Sequence, residues 1–334
     1  MPTFCRHNRF IERCPICSKT LPGQEPERRS TPRRGSQAVA RTRAAHAGPA
    51  HGVRVRRETR SVDDGYRNEL VPGLRASDDA RLLADEVGFS TGRLLALAAD
   101  PPDLYGEVRS LAGTDPERAT WATFLIALLA PLEEGDPFIG IRLGLDRWPA
   151  PVEPLDDAAD LPIGPRRTSE PERLAETMRA YVQWVQRAGM AAAPSGAGER
   201  TQADAFHGDP GWAPERRFER LFERLALPGL DRAGRYELLV LLGRLGLYEL
   251  RPDGLRLGRG EDPATQGAKR VFGIADPLLL ERRASALAEA GEVPVEALDL
   301  ALANWAERRR VRLGFPEDVA DDAARARMEA ALGV

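Results

Sequence analysis

Lysine is nearly absent from this chain of 334 residues, occurring only as Lys19 and Lys269. The basic charge is therefore almost all arginine, and arginine abundance by itself carries no message about nucleic acid. There are only three cysteines, Cys5, Cys14 and Cys17, all near the start. A disulfide framework is excluded for the remaining three hundred or so residues. No apolar run approaches the length of a membrane span. The first residues lack the apolar region of a signal peptide, and a cytoplasmic, non-membrane protein is expected.

The charge that is present is unevenly placed. Residues 1–22 carry a net charge of +3 and residues 23–61 a net of +7; against an overall −3, residues 62–334 carry −13. A basic arm ahead of an acidic body points to a DNA partner reached through the arm. The same numbers oppose a broad basic face on the body.

The three cysteines fall in the pattern Cys5-x-His7-x6-Cys14-x2-Cys17. Four soft or borderline ligands suit tetrahedral zinc, and Cys14-x2-Cys17 places two thiolates on one ion. A redox pair is the competing reading of the cysteines. A four-ligand site is closed, so the zinc cofactor is expected to be structural. Residues 1–22 are read as a small zinc knuckle that needs its metal to fold. Residues 23–65 are rich in Arg, Ser, Pro, Gly and Ala, with few large apolar side chains. They are expected to form a disordered basic linker, and His46 and His51 within it to have no specific role.

Residues 66–334 read as all-α. Leu82, Leu83 and Val87 predict a helix opened by Ser77 and stopped at Gly88, with Ser90 capping the next. Thr114-x-x-Glu117 has the form of a capping box. Behind it Trp121, Phe124, Leu125, Leu128, Leu129 and Leu132 recur at helical spacing as core. Ser169-x-x-Glu172 predicts another cap, ahead of Leu174, Met178, Tyr181, Val182 and Val185. Residues 190–204 read as a mobile loop, and His207 as a packed histidine. Asp253-Gly254 between short alternating segments predicts a small β-hairpin. A last helix is expected over 316–332.

Twice a helix ends in a Gly turn and another begins at once, at Gly229 and at Gly273. Glycine reaches the left-handed dihedrals of such turns without strain. The free amides of the following helix suit a phosphate oxygen, so a hairpin of this kind can hold a DNA backbone without reading its bases. An ordinary helical pair is the plainer alternative. Lys269 and Arg270 just before the second turn join Gly229 and Gly273 as candidate DNA contacts. Val293-Pro-Val-Glu-Ala-Leu-Asp-Leu-Ala-Leu-Ala-Asn-Trp305 predicts a helix beginning near Pro294. Leu298, Leu302 and Trp305 form its core face, and Asp299 borders that face.

Leu227-Pro-Gly-Leu, Phe272-Gly-Ile-Ala-Asp276, Asp299 and Thr123-Phe-Leu-Ile-Ala-Leu-Leu-Ala-Pro131 resemble the helix-hairpin-helix DNA glycosylase superfamily. Arg217-Phe-Glu-Arg-Leu-Phe-Glu-Arg-Leu and Ala268-Lys-Arg-Val-Phe-Gly273 look like the alpha-glutamyl/putrescinyl thymine pyrophosphorylase group. The resemblance covers about residues 115–310 and leaves out the zinc segment. It implies a glycosylase-like helical domain that extrudes a modified base, such as hypermodified thymine, and acts on it in a pocket. It also implies an acidic catalytic residue beyond the second hairpin, for which Asp299 and Glu296 are the candidates. Two departures stand out: the turns read Gly229-Leu-Asp231 and Gly273-Ile-Ala275 where the family has Gly-hydrophobic-Gly, and no lysine follows either turn. The competing reading is a non-catalytic zinc-finger DNA-binding or adaptor protein.

Overall fold

A computed structural model describes residues 61–152, 160–166, 170–192, 201–209, 211–260 and 262–334. The zinc-knuckle residues Cys5, His7, Cys14 and Cys17, and the basic linker up to residue 60, lie outside them. The chain divides at Glu58/Thr59, and the description that follows is of the second unit.

Twelve α-helices and no strand occur among the described residues. They are α1 (Ser77–Ala99), α2 (Asp103–Leu111), α3 (Pro116–Leu129), α4 (Ile139–Arg147), α5 (Leu174–Ala192) and α6 (Gln202–His207), followed by α7 (Pro214–Arg224), α8 (Arg232–Arg244), α9 (Pro263–Phe272), α10 (Pro277–Ala290), α11 (Ala297–Glu307) and α12 (Asp322–Leu332). None is long and apolar enough to cross a membrane.

Two helices form the centre. In α3 every residue from Ala119 to Leu129 is buried, and in α11 every residue from Ala297 to Trp305. An α-helix buried on all faces must be covered by several others. Around α3 lie α2, α4, α6 and α8, and around α11 lie α1 and α9. The predicted stripe is core from Trp121 to Leu129, while Leu132 falls beyond the end of α3 and is half-buried. The stripe's aromatics continue into α5, where Phe124 stacks on Tyr181 with ring centroids 3.9 Å apart.

Several local expectations fail for a shared reason: the signal is answered from elsewhere in the chain. Helix α1 does not stop at Gly88, nor does Ser90 cap a new helix. A Cβ at Gly88 would stand 2.9 Å from Cβ of Arg325, and the Gly88 carbonyl accepts from the Asp321 amide at 2.9 Å. The glycine lets the start of α12 approach. Asp115, rather than Thr114, caps α3 by accepting from the Arg118 amide. The Glu117 carboxylate accepts instead from the amides of Gln202 and Ala203, both at 2.8 Å, where α6 begins. Residues 202–204, expected in a loop, are thus helical. Ser169 lies outside the described residues. A 3-10 turn, Pro171–Arg173, precedes α5, and Glu170 at its start makes no side-chain cap.

The β-hairpin expected at Asp253-Gly254 does not form. Glu281 of α10 takes the Leu255 amide at 2.8 Å and also the Leu257 amide, while Tyr236 Oη donates to the Gly254 carbonyl at 3.1 Å. Side chains supply the partners a second strand would have given. The linker boundary also moves. Ser61 donates to Asp79, and the Asp64 carboxylate accepts from the Ser77 amide at 3.0 Å, capping α1 from thirteen residues away. Residues 61–65 therefore belong to the helical body. The final expected helix begins only at Asp322, after a 3-10 turn, Glu317–Val319.

Candidate functional site

Helices α7 and α8 are joined through Gly229 (φ +75°), and α9 and α10 through Gly273 (φ +65°), both left-handed as the sequence requires. Each following helix opens on an aspartate. Asp231 accepts from the Gly234 amide at 2.8 Å and Asp276 from the Leu279 amide at 3.1 Å. These carboxylates occupy the helix N-termini, the place where a phosphate would be held.

The second turn is also backed by another segment. The Gly73 amide donates to the Val271 carbonyl at 2.9 Å, and a Cβ at Gly273 would meet Cα of Gly73 at 3.4 Å. Lys269 donates to the Gly260 carbonyl at 3.1 Å and Arg270 to the Ala306 carbonyl at 3.3 Å. Both candidate basic contacts are thus bonded to the body's own backbone.

Asp299 does not border the core face; it is inside, 3% exposed, because α11 is covered all round. Its Oδ1 accepts from Arg232 Nη2 at 2.7 Å and its Oδ2 from Arg166 Nη2 at 2.5 Å. Arg232 is the first residue of α8, three residues after Gly229. It also donates through Nε to Asp262 at 3.0 Å and through Nη1 to the Leu255 carbonyl at 2.9 Å. Burial opposes the Arg232 charge, but Asp299 and Asp262 more than offset it and hold its pKa above the ordinary arginine range. Burial likewise pushes the Asp262 carboxyl up, and Arg232 outweighs it, leaving the pKa lowered.

Glu296, the N-cap position of α11, is paired with Arg244 at the far end of α8. The two acids are therefore locked to opposite ends of one helix.

Asp299 is tied to the first turn through Arg232, three residues after Gly229. Asp262, which shares Arg232 with it, caps the start of α9, whereas Gly273 follows its end. Ten residues at about 1.5 Å each separate the two by roughly 15 Å.

Beside this network lies a cavity of about 100 Å³, lined in part by Arg166, Asp231, Pro263, Ala303, Asn304 and Glu307. Asp231 differs from the other acids here. The protein packed around it raises its carboxyl above the usual range, against the Gly234 amide and the Arg232 charge, although Asp231 itself is exposed to solvent. Sequence reading had named Asp231 only as part of a turn, and had not singled out Arg166 or Arg232. An Asp-Arg pair beginning two residues after a turn glycine was the available signal for two of them. Nothing local marks Arg166, which lies 133 residues from Asp299. His207 is exposed, with its ring edge-on to Tyr248 at 5.1 Å.

Compared with known proteins, the chain matches no family model, no curated protein and no solved structure.

Proposed function

We propose that this is a DNA-binding protein whose helical body acts on a modified base, in the manner of the glycosylases its hairpin sequences resemble. One observation carries the reading. Asp231, beginning the helix after the first Gly turn, is a carboxyl that lines the cavity, reaches solvent and has its pKa raised above the usual range. A carboxyl with a raised pKa that a substrate can reach is suited to donate to a departing base. Asp299 and Glu296 were the acids expected in that role. On this reading Asp299 positions Arg232 and Arg166, and Asp231 meets the substrate. The N-terminal basic arm and the zinc knuckle supply the attraction to DNA that the acidic body lacks.

The alternative, a non-catalytic DNA-binding or adaptor protein, is favoured by a different observation. Asp231 and Asp276 sit at the two helix N-termini that phosphate would need, and Asp299 is neutralised by two arginines. The deciding experiment measures base release from DNA carrying hypermodified thymine, alongside DNA affinity as a function of salt. Asp231→Asn is expected to abolish release and leave affinity unchanged. Release that survives the substitution removes Asp231 from the chemistry. Salt-dependent binding without release by the wild type puts the adaptor reading in place of the enzyme. No DNA binding at all removes both.

A further inference from the structure

A second concavity lies away from Asp299, between α7, the end of α8 and the chain that follows it. It encloses about 910 Å³, within the size range of small-molecule sites. Its lining includes Pro214, Leu247 and Leu250 as apolar wall, with Arg217, Glu249 and Arg251 as charged groups. Glycine lets its wall form: a Cβ at Gly243 would stand 2.4 Å from the Leu250 carbonyl oxygen, so only glycine allows that segment to lie against α8.

Arg217 is its unusual member. The side chain is 6% exposed. Its Nη2 donates to the Trp212 carbonyl at 3.1 Å, and its Nη1 to the Glu249 carbonyl at 3.2 Å. Its Nε has no partner among the described residues. Among the described residues, the carboxylate paired with this buried charge is that of Glu249, at 3.2 Å, and the Glu249 side chain is 80% exposed. A buried guanidinium calls for a well-fixed anion, and a solvated glutamate arm holding one long bond supplies little. Arg251, at the rim, is mostly exposed and paired with Glu215.

We propose that this cleft binds a small organic anion. Its carboxylate or phosphate replaces the Glu249 side chain on Arg217 Nη1, and its apolar body lies along Pro214, Leu247 and Leu250. Glu249 is then a stand-in that leaves when the ligand arrives. Planar two-oxygen anions match the arginine fork. The site is separate from the Asp231 cavity and does not depend on the base-directed reading.

The test is calorimetric titration of the full-length protein with benzoate and, separately, with inorganic phosphate. Saturable binding of benzoate identifies a carboxylate ligand with an apolar body, and of phosphate alone a phosphorylated one. Glu249→Gln, an exposed change that leaves the fold intact, removes the competing anion. It is expected to tighten binding about three- to fivefold, the worth of an exposed ion pair. Arg217→Gln is expected to abolish binding, with its fold checked by circular dichroism. The proposal is overturned if neither benzoate nor phosphate saturates the wild type or the Glu249→Gln protein. So does an affinity that Glu249→Gln leaves unchanged or weakens.

Discussion

Arg232 donates to Asp299 across 2.7 Å, and that bond fixes the start of α8 to the first turn of α11. The pair is buried, with side chains 10% and 4% exposed. Removing one partner from such a pair leaves a charge with too little compensation. Asp299→Asn keeps the shape and strands part of the charge on Arg166 and Arg232. It is expected to cost about 3 kcal/mol in urea unfolding, the lower end for a broken buried pair, because Asp262 still faces Arg232. Glu296→Gln should cost only about 1 kcal/mol, since Arg244 is 25% exposed and water can reach it. Equal costs for the two would contradict this ordering.

Glu281 gives the helical body a pH dependence. Burial raises its pKa, opposed by the amides of Leu257 and Leu255; Arg256 and Arg232 are the charges facing it. The folded protein therefore holds this proton more tightly than the unfolded chain does. The resulting stabilisation is present below the ordinary glutamate pKa, about 4.5, and is lost as pH rises through the raised folded value. Glu281→Gln does not titrate. Thermal melts of both proteins across that range should show the substitution costing more at low pH than at neutral pH. A cost that grows with pH would mean that the two amide bonds outweigh burial.

Gly73 determines how the second turn is backed. A Cβ there would lie 1.9 Å from the Arg270 carbonyl oxygen and 2.7 Å from the Gly273 amide nitrogen, both backbone atoms that cannot swing aside. Gly73→Ala should destabilise the body by about 1–3 kcal/mol, the range for overpacking. It should also raise hydrogen exchange at the Gly73 and Gly273 amides. A neutral melt would show that residues 72–74 can move off the turn.

Zinc is expected at one equivalent per chain, held by Cys5, His7, Cys14 and Cys17. Its ligands bind deprotonated, so acid should release it. Metal analysis of the wild type and Cys17→Ser decides the matter, and undiminished zinc in the variant would remove this ligand set.

On the proposed reading, the salt dependence of DNA binding locates the contacts. Each phosphate neutralised by the arm adds roughly 0.9 to the log–log salt slope. Deleting residues 23–61 should flatten that slope. An unchanged slope would move the contacts to the helical body.

The sequence by itself determined the class of the body and much of its punctuation. Trp121, Phe124 and Leu128 repeat at the helical period, and a repeat of that kind has few ways to be buried other than on a helix. Asp262-Pro263 and Asp276-Pro277 start helices, because an N-cap and a proline at N1 act within one turn. Gly229 and Gly273 take the positive φ their turns need. Tertiary structure decided whatever depended on a partner distant in sequence. Gly88 looks like a helix stop until Arg325 is placed against it. Asp253-Gly254 looks like a hairpin turn until Glu281 takes the amides a second strand would have used. Asp299 looks like a border residue until α1 and α9 close over α11. Its two arginines come from positions 67 and 133 residues earlier in the chain. Periodicity reports which face of a helix is apolar, but not how many faces will be covered. The environment of a charged group is set by exactly that covering, which is why the acids could be named from sequence and their pairing could not.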